Sequence, residues 1–189
     1  MKSIWRMTVT VISTESISNP ELTVLLANLS ADELGQTTQE LAQRFTVTEY
    51  QLVAALPATL VTILPGSQAQ PLLEQLAEWG PLTTIVMAGE SIFEFKGAFP
   101  QGKMAHGYYN LYNREAEGLH GHLRLSSITQ IALLDKPFRG RASYSMLFFA
   151  ADGRCLFKIF LGRDEQRRLF PAQIDRFNAL RQQWAHLLR

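Results

Sequence analysis

The sequence is poor in cysteine: Cys155 is the only one in 189 residues. No disulfide can form within the chain, and a structural zinc site built on several thiolates is excluded. Long apolar runs are missing too. No stretch approaches the roughly 18 residues that a membrane-spanning helix needs. The apolar segment Met7 to Ile12 is broken by Thr8 and Thr10 and lacks a small-residue cleavage pattern. It makes a poor signal peptide even with Lys2 and Arg6 ahead of it, so a cytoplasmic location is expected, with Met7 as an alternative start. Nor is there an excess of one charge: 18 Lys and Arg face 17 Asp and Glu, a formal net charge of +1. A globally basic nucleic-acid binder is thereby ruled out. Gly-x-Ser-x-Gly, a Walker loop, Gly-x-Gly-x-x-Gly and His-Glu-x-x-His are absent, which removes the common hydrolase, nucleotide-binding and zinc-peptidase signatures.

What is present is a globular composition, 47% hydrophobic and 19% charged. A chain of this length buries roughly 70% of its unfolded surface, enough for one domain with an appendage. The charge is unevenly spread. Residues 1–95 carry three basic and ten acidic side chains, net −7, whereas residues 96–189 carry fifteen and seven, net +8. The halves can attract each other within the fold or across a dimer, and the basic half can receive an anionic ligand.

The hydrophobic period changes once, near Trp79-Gly80-Pro81. Before it the spacing is helical, with Leu22, Leu25, Leu26 and Leu29 on one stripe, then Leu41, Ala42 and Phe45, then Leu52, Val53 and Leu56. After it come seven strand-like segments: 83–88, 91–96, 106–112, 119–125, 128–134, 143–150 and 154–161. Asp152-Gly153 marks a hairpin between the last two. Beyond Asp164 the helical period returns through Phe170, Ile174, Phe177, Leu180, Trp184 and Leu187. The expected fold is α+β: N-terminal helices, a large antiparallel meander, and a C-terminal helix packed on the sheet. Its expected division is an extension over 1–35, helical or partly disordered, followed by a domain over 36–189. That domain comprises a helical part at 36–80, the sheet at 81–162 and the last helix at 163–189.

Three segments carry candidate chemistry. Thr38 to Leu56 has the look of a helix-turn-helix, but residues 31–60 hold one base against four acids, a poor head for neutralising phosphates. A packed helix pair is the better reading. In HGYYNLYNREAEGLHGHLRL, residues 106–125, strand alternation puts His106, Tyr108, Asn110 and Tyr112 on one face. His120, His122 and Arg124 share a face of the next strand. A hairpin centred on Glu115 would set Tyr108 opposite His122 and Asn110 opposite His120. Two histidines alone do not complete a zinc site, but haem iron needs only one or two axial ligands, for which His, Tyr and Met all qualify. Without a Cys-x-x-Cys-His motif, any haem is held non-covalently. The third segment, FKIFLGRDEQRRL, ends a strand at Gly162 and brings Arg163, Arg167 and Arg168, which can pair with carboxylates of a ligand or of a partner subunit. An ordinary exposed helix start reads equally well there.

Taken in order, EWG, HGYYNLYN, GLHGHLRL and KIFLGRD resemble the cytosolic haem-utilisation carrier family of the HutX/ChuX type, over roughly residues 38–185. The resemblance implies a fold related to the HemS/ChuS-like repeat and subunits that form homodimers. It implies binding of haem b, and exchange with haem-uptake or haem-degrading proteins as donor or acceptor, without nucleic acid or membrane insertion. It implies no catalysis, with haem degradation as the enzymatic alternative. Two positions of the family pattern supply haem contacts. One falls on His122, the expected axial ligand; the other falls on Met87, where the family carries histidine. Tyr108 and His106 are then alternates, Met87 lines the pocket, and Arg124 is a candidate partner for the propionates. Phe93, Phe95, Phe148 and Phe160 are candidates to cover the macrocycle.

Overall fold

The computed structural model describes residues 19–89, 91–112 and 118–187. Four helices come first: α1 (Asn19–Ala27), α2 (Ala31–Leu34), α3 (Thr38–Phe45) and α4 (Glu49–Ala54). Three of them begin on capping boxes, Ser30 with Glu33, Thr37 with Glu40 and Thr48 with Gln51. In each box the hydroxyl accepts from the backbone N–H three residues on, and the longer side chain accepts from the cap's own N–H. The hydrogen bonds from Ser30 and the Arg44 guanidinium hold the Glu33 carboxyl down at about 2. Helix α3 stops where Thr46 turns left-handed, at φ 55°.

Strand β1 (Val61–Pro65) and helix α5 (Ala69–Leu76) follow, and Gly80, at φ 80°, ends the helical part. Next come β2 (Pro81–Ala88), β3 (Ser91–Ala98), β4 (Gln101–Ala105), β5 (Tyr108–Tyr112) and β6 (Gly121–Leu123). The chain finishes with β7 (Gln130–Asp135), β8 (Tyr144–Phe149), β9 (Cys155–Leu161) and α6 (Pro171–Leu187). The described strands form two antiparallel sheets: six strands in the order β1-β7-β8-β9-β2-β3, and three in the order β4-β5-β6. The α+β class and the β7-β8-β9 meander agree with the sequence reading. Two strands escaped it. Val61–Pro65, inside the stretch read as helical, is a short apolar run whose period decides nothing, and pairing with β7 makes it a strand. Gln101–Ala105 carries Gly and Lys and is a strand only because β5 pairs with it.

The six-stranded sheet is covered on both faces along β1, β7, β8 and β9, whereas the edge strand β3 is exposed along its length. Leu64, Leu82, Ile131, Leu133, Met146, Phe148, Phe157 and Ile159 pack on one side with α5, α6 and the buried Tyr109 and Leu111 of β5. On the other side Val61, Ala132, Leu134, Leu147, Phe149 and Cys155 pack against α1, α3 and α4. Leu22 and Leu26 of α1 belong to this second core, so residues 19–35 are helices docked on the sheet. Two-sided burial explains why β7 and β8 read as continuous apolar runs. Gln173 of α6 fixes the junction at which the period changes. Its amide N–H groups donate to the carbonyls of Trp79 and Pro81, each at 2.8 Å, and its Oε1 accepts from Gly162 N–H at 2.8 Å.

Two lysines are buried beneath the N-terminal helices. Lys158 of β9 meets Glu49 of α4 at 2.6 Å, with Thr38 bonded to both. Glu49 opens the helix that a DNA reader would place in the groove, and here it is turned onto the sheet. Lys136 donates to the carbonyls of Leu34 and Gln36, each at 2.6 Å, and closes the end of α2. Burial, with nearby Lys158, pushes its ammonium down to about 8. No helix among the described residues is long and apolar enough to cross a membrane.

Candidate functional site

The three-stranded sheet presents its polar face outward. Its inner face carries Tyr109 and Leu111 into the core, so alternation sends Tyr108, Asn110 and Tyr112 the other way. Strand β6 adds His122 directly opposite Asn110, with Tyr109 opposite Leu123 and Leu111 opposite Gly121. The expected face is therefore the observed one, but the pairing is displaced by two residues. His122 sits across from Asn110 rather than Tyr108, and Arg124 falls beside Tyr108. A two-residue displacement preserves the facing of every side chain, which is why the cluster survives it.

The contacts are short and polar. His122 Nδ1 lies 2.6 Å from Asn110 Oδ1. The Arg124 guanidinium donates to the Tyr108 hydroxyl at 2.6 Å and lies over the same ring, 5.1 Å from its centroid. The Tyr108 and His122 rings meet edge to face at 6.1 Å. His122 and Arg124 are exposed, while Tyr108 and Asn110 are half-buried. The result is an open, preorganised face with an imidazole and a phenol as potential iron donors and a guanidinium for a carboxylate. One Arg124 N–H is committed to Tyr108, which leaves the others available. Among the described residues no group of three His, Cys, Asp or Glu side chains is placed to hold a bare metal ion.

The other expected residues lie elsewhere. His106, read as the start of a strand sharing the Tyr108 face, instead occupies the β4–β5 turn with Gly107, at φ 52° and 80°. Two consecutive positive φ values are those of the tight hairpin turn whose twist matches its strands. Its side chain is exposed at the tip. Met87 is half-buried near the end of β2, on the face opposite to Leu82 and Val86, which pack towards β5. Within one subunit the fold does not bring Met87 to His122. Phe148 is wholly buried and stacked on Phe157 at 4.2 Å, so it is core. Phe160 is half-buried on β9 opposite Thr83, whereas Phe93 and Phe95 are exposed on β3. Arg163 ties two loops by donating to the carbonyls of Ala142 and Arg167, and Arg168 pairs with Asp164 at 2.8 Å. Those arginines lie in the segment between β9 and α6. The residue that the sequence reading left without a role is Asn110. Its signal was an asparagine, a poor strand former, in the middle of a Tyr- and Leu-rich strand.

Comparison with known proteins shows which family the chain is similar to. Residues 62–180 match the family described as haem utilisation ChuX/HutX. The intracellular heme transport protein HutX of Vibrio cholerae serotype O1 is 53% identical over 143 residues, 76% of this chain and 74% of that protein. The structure of the heme binding protein ChuX superposes with a TM-score of 0.76 at 33% identity, covering 89% of this chain and 99% of that one. The heme degrading enzyme ChuS of Escherichia coli shares the fold at 18% identity and a TM-score of 0.67; the match covers 95% of this chain but 49% of ChuS. With a family match over more than half its length and a relative 53% identical over three quarters of it, this chain belongs to the haem utilisation ChuX/HutX family.

Proposed function

We propose that this protein is a cytoplasmic haem carrier: it binds haem b non-covalently, keeps it in solution and passes it between a haem-uptake or haem-degrading donor and acceptor. The observation that carries the reading is the face on which His122, Tyr108 and Arg124 converge, in a family whose members include a named heme transport protein and a named heme binding protein. His122 is the principal axial ligand, through Nε2. Tyr108, His106 and Met87 are the alternates, the last two only if haem reaches past the cluster or a second subunit supplies them. Arg124 receives a propionate. An open face with few ligands suits a protein that must release what it binds.

Titration of the apo-protein with haemin tests this, with saturation expected near one haem per subunit. His122→Ala is expected to shift the Soret band and to weaken binding by more than the roughly 10–100-fold that loss of an outer partner of a metal ligand costs. An unchanged band would move the axial role to Tyr108, His106 or Met87. No saturation in the wild type would end the reading. Incubating the complex with a reductant and catalase separates carriage from degradation: a carrier keeps its Soret band, whereas bleaching with iron release identifies an enzyme.

The working unit in this proposal is a homodimer. The chain spans half of ChuS in fold, and β3 is an edge strand that leaves Ile92 60%, Phe93 51% and Phe95 38% exposed. Exposed apolar side chains on an unpaired edge invite a second strand. Sedimentation at micromolar concentration is expected to give a dimer that Phe93→Glu dissociates; a monomeric wild type would refute it.

A further inference from the structure

The Asn110 amide has only one sensible orientation. Its Nδ2 lies 3.2 Å from the carbonyl oxygen of Lys103, 3.0 Å from that of Ala105 and 2.9 Å from that of Tyr108. These three acceptors surround the β4–β5 turn, and only an N–H₂ group satisfies them. Turning the amide over would aim its oxygen at three other oxygens with no hydrogen between them. Asn110 Oδ1 is therefore fixed as the atom facing His122, and an amide oxygen only accepts. The ring nitrogen 2.6 Å away, Nδ1, must carry the hydrogen. A neutral imidazole has one N–H, so Nε2 is left with its lone pair free.

We infer that Asn110 is a positioning residue: it holds His122 in the Nδ1–H tautomer and thereby presents Nε2 as a ready electron-pair donor to haem iron. The identity of the metal rests on the carrier reading above, whereas the tautomer does not. Neighbouring Tyr108 is engaged by Arg124, so among the described residues the Asn110 amide is the group placed to set the proton. Ligand histidines are commonly fixed in this manner, by an outer acceptor on the nitrogen that does not bind. The backbone does the orienting here. The hairpin turn at His106-Gly107 sets the carbonyls, the carbonyls set the amide, and the amide sets the imidazole.

The experiment begins on the apo-protein, labelled with ¹⁵N at histidine and held at pH 8, where an ordinary imidazole is neutral. Long-range ¹H–¹⁵N correlation is expected to give His122 a protonated Nδ1 and an unprotonated Nε2. Asn110→Leu, close in size, and Asn110→Ala, less demanding of its neighbours, are expected to lose that pattern. Neither should alter the backbone spectrum outside the β4–β5–β6 region. Each is expected to weaken haemin binding on the order of 10–100-fold. An unprotonated Nδ1 in the wild type would overturn the inference whatever the variants do, and so would a pattern that survives Asn110→Leu. If the wild-type pattern appears but His122→Ala binds haemin as the wild type does, the tautomer lock stands and the assignment of His122 to the iron falls.

Discussion

Glu49→Ala is expected to cost about 3–5 kcal/mol of folding stability, a large fraction of what a domain of this size possesses. The Glu49 carboxylate meets the Lys158 ammonium at 2.6 Å, with their side chains 13% and 9% exposed, and Thr38 fills the remaining approach. Truncating the acid leaves an ammonium under the helices with one hydroxyl for company, and most of the loss is the cost of that stranded charge. Replacing both partners, Glu49→Leu with Lys158→Met, removes the charge along with its counterion and is expected to return stability close to the wild type or above it. Urea unfolding of the two variants decides the matter. A single variant losing less than about 1 kcal/mol would show the pair to be solvated like a surface ion pair.

Gly102→Ala is expected to be the most damaging single methyl group near the candidate site. A Cβ at residue 102 would fall 2.1 Å from Cε1 and 2.3 Å from Cζ of the Tyr109 ring, which lies across the glycine from the neighbouring strand. Tyr109 is wholly buried, so its ring has no free space to enter. Overpacking of this kind costs roughly 1–3 kcal/mol. It also displaces β5 at the residue between Tyr108 and Asn110, so haemin affinity is expected to fall with stability. Gly121→Ala is the matched control, since it lies on the same sheet with nothing within 4 Å of the added methyl. Thermal unfolding and haemin titration of both variants test the claim; equal behaviour would show that the glycine is not required for packing.

Local signals carried the helical part. The stripes through Leu22 and Leu26, Leu41 and Ala42, and Leu52 and Val53 are the buried faces of the helices observed, whereas the capping boxes at Ser30, Thr37 and Thr48 went unread. The period change at Trp79-Gly80-Pro81 marks the true junction, and period-2 alternation put Tyr108, Asn110 and His122 on one face. What was illegible is what tertiary structure decides. Glu49 and Lys158 are 109 positions apart and nothing local announces their meeting. His106 was read into a strand because it extends the alternation of Tyr108, Asn110 and Tyr112, whereas the glycine after it marks a turn. The two-residue displacement of the β5–β6 pair arose because alternation fixes which side chains share a face but not where a hairpin turns.

The order of strands in the large sheet differs from their order in the chain, and this dictates a timetable for folding. β1 is made early, yet its sheet partner among the described residues is β7, some 65 residues later; β2 must find β9 at a similar distance. The helices α1, α3 and α4 close over Ala132, Leu134, Leu147 and Phe149, none of which exists when those helices leave the ribosome. The β7-β8-β9 meander can form by local pairing, as the β2–β3 and β4–β5 hairpins can, but closing the large sheet needs the non-local pairs, which belong to the millisecond-to-second regime. Helices α1, α3 and α4 are thus made before the core they join, which is incomplete until Cys155 has emerged.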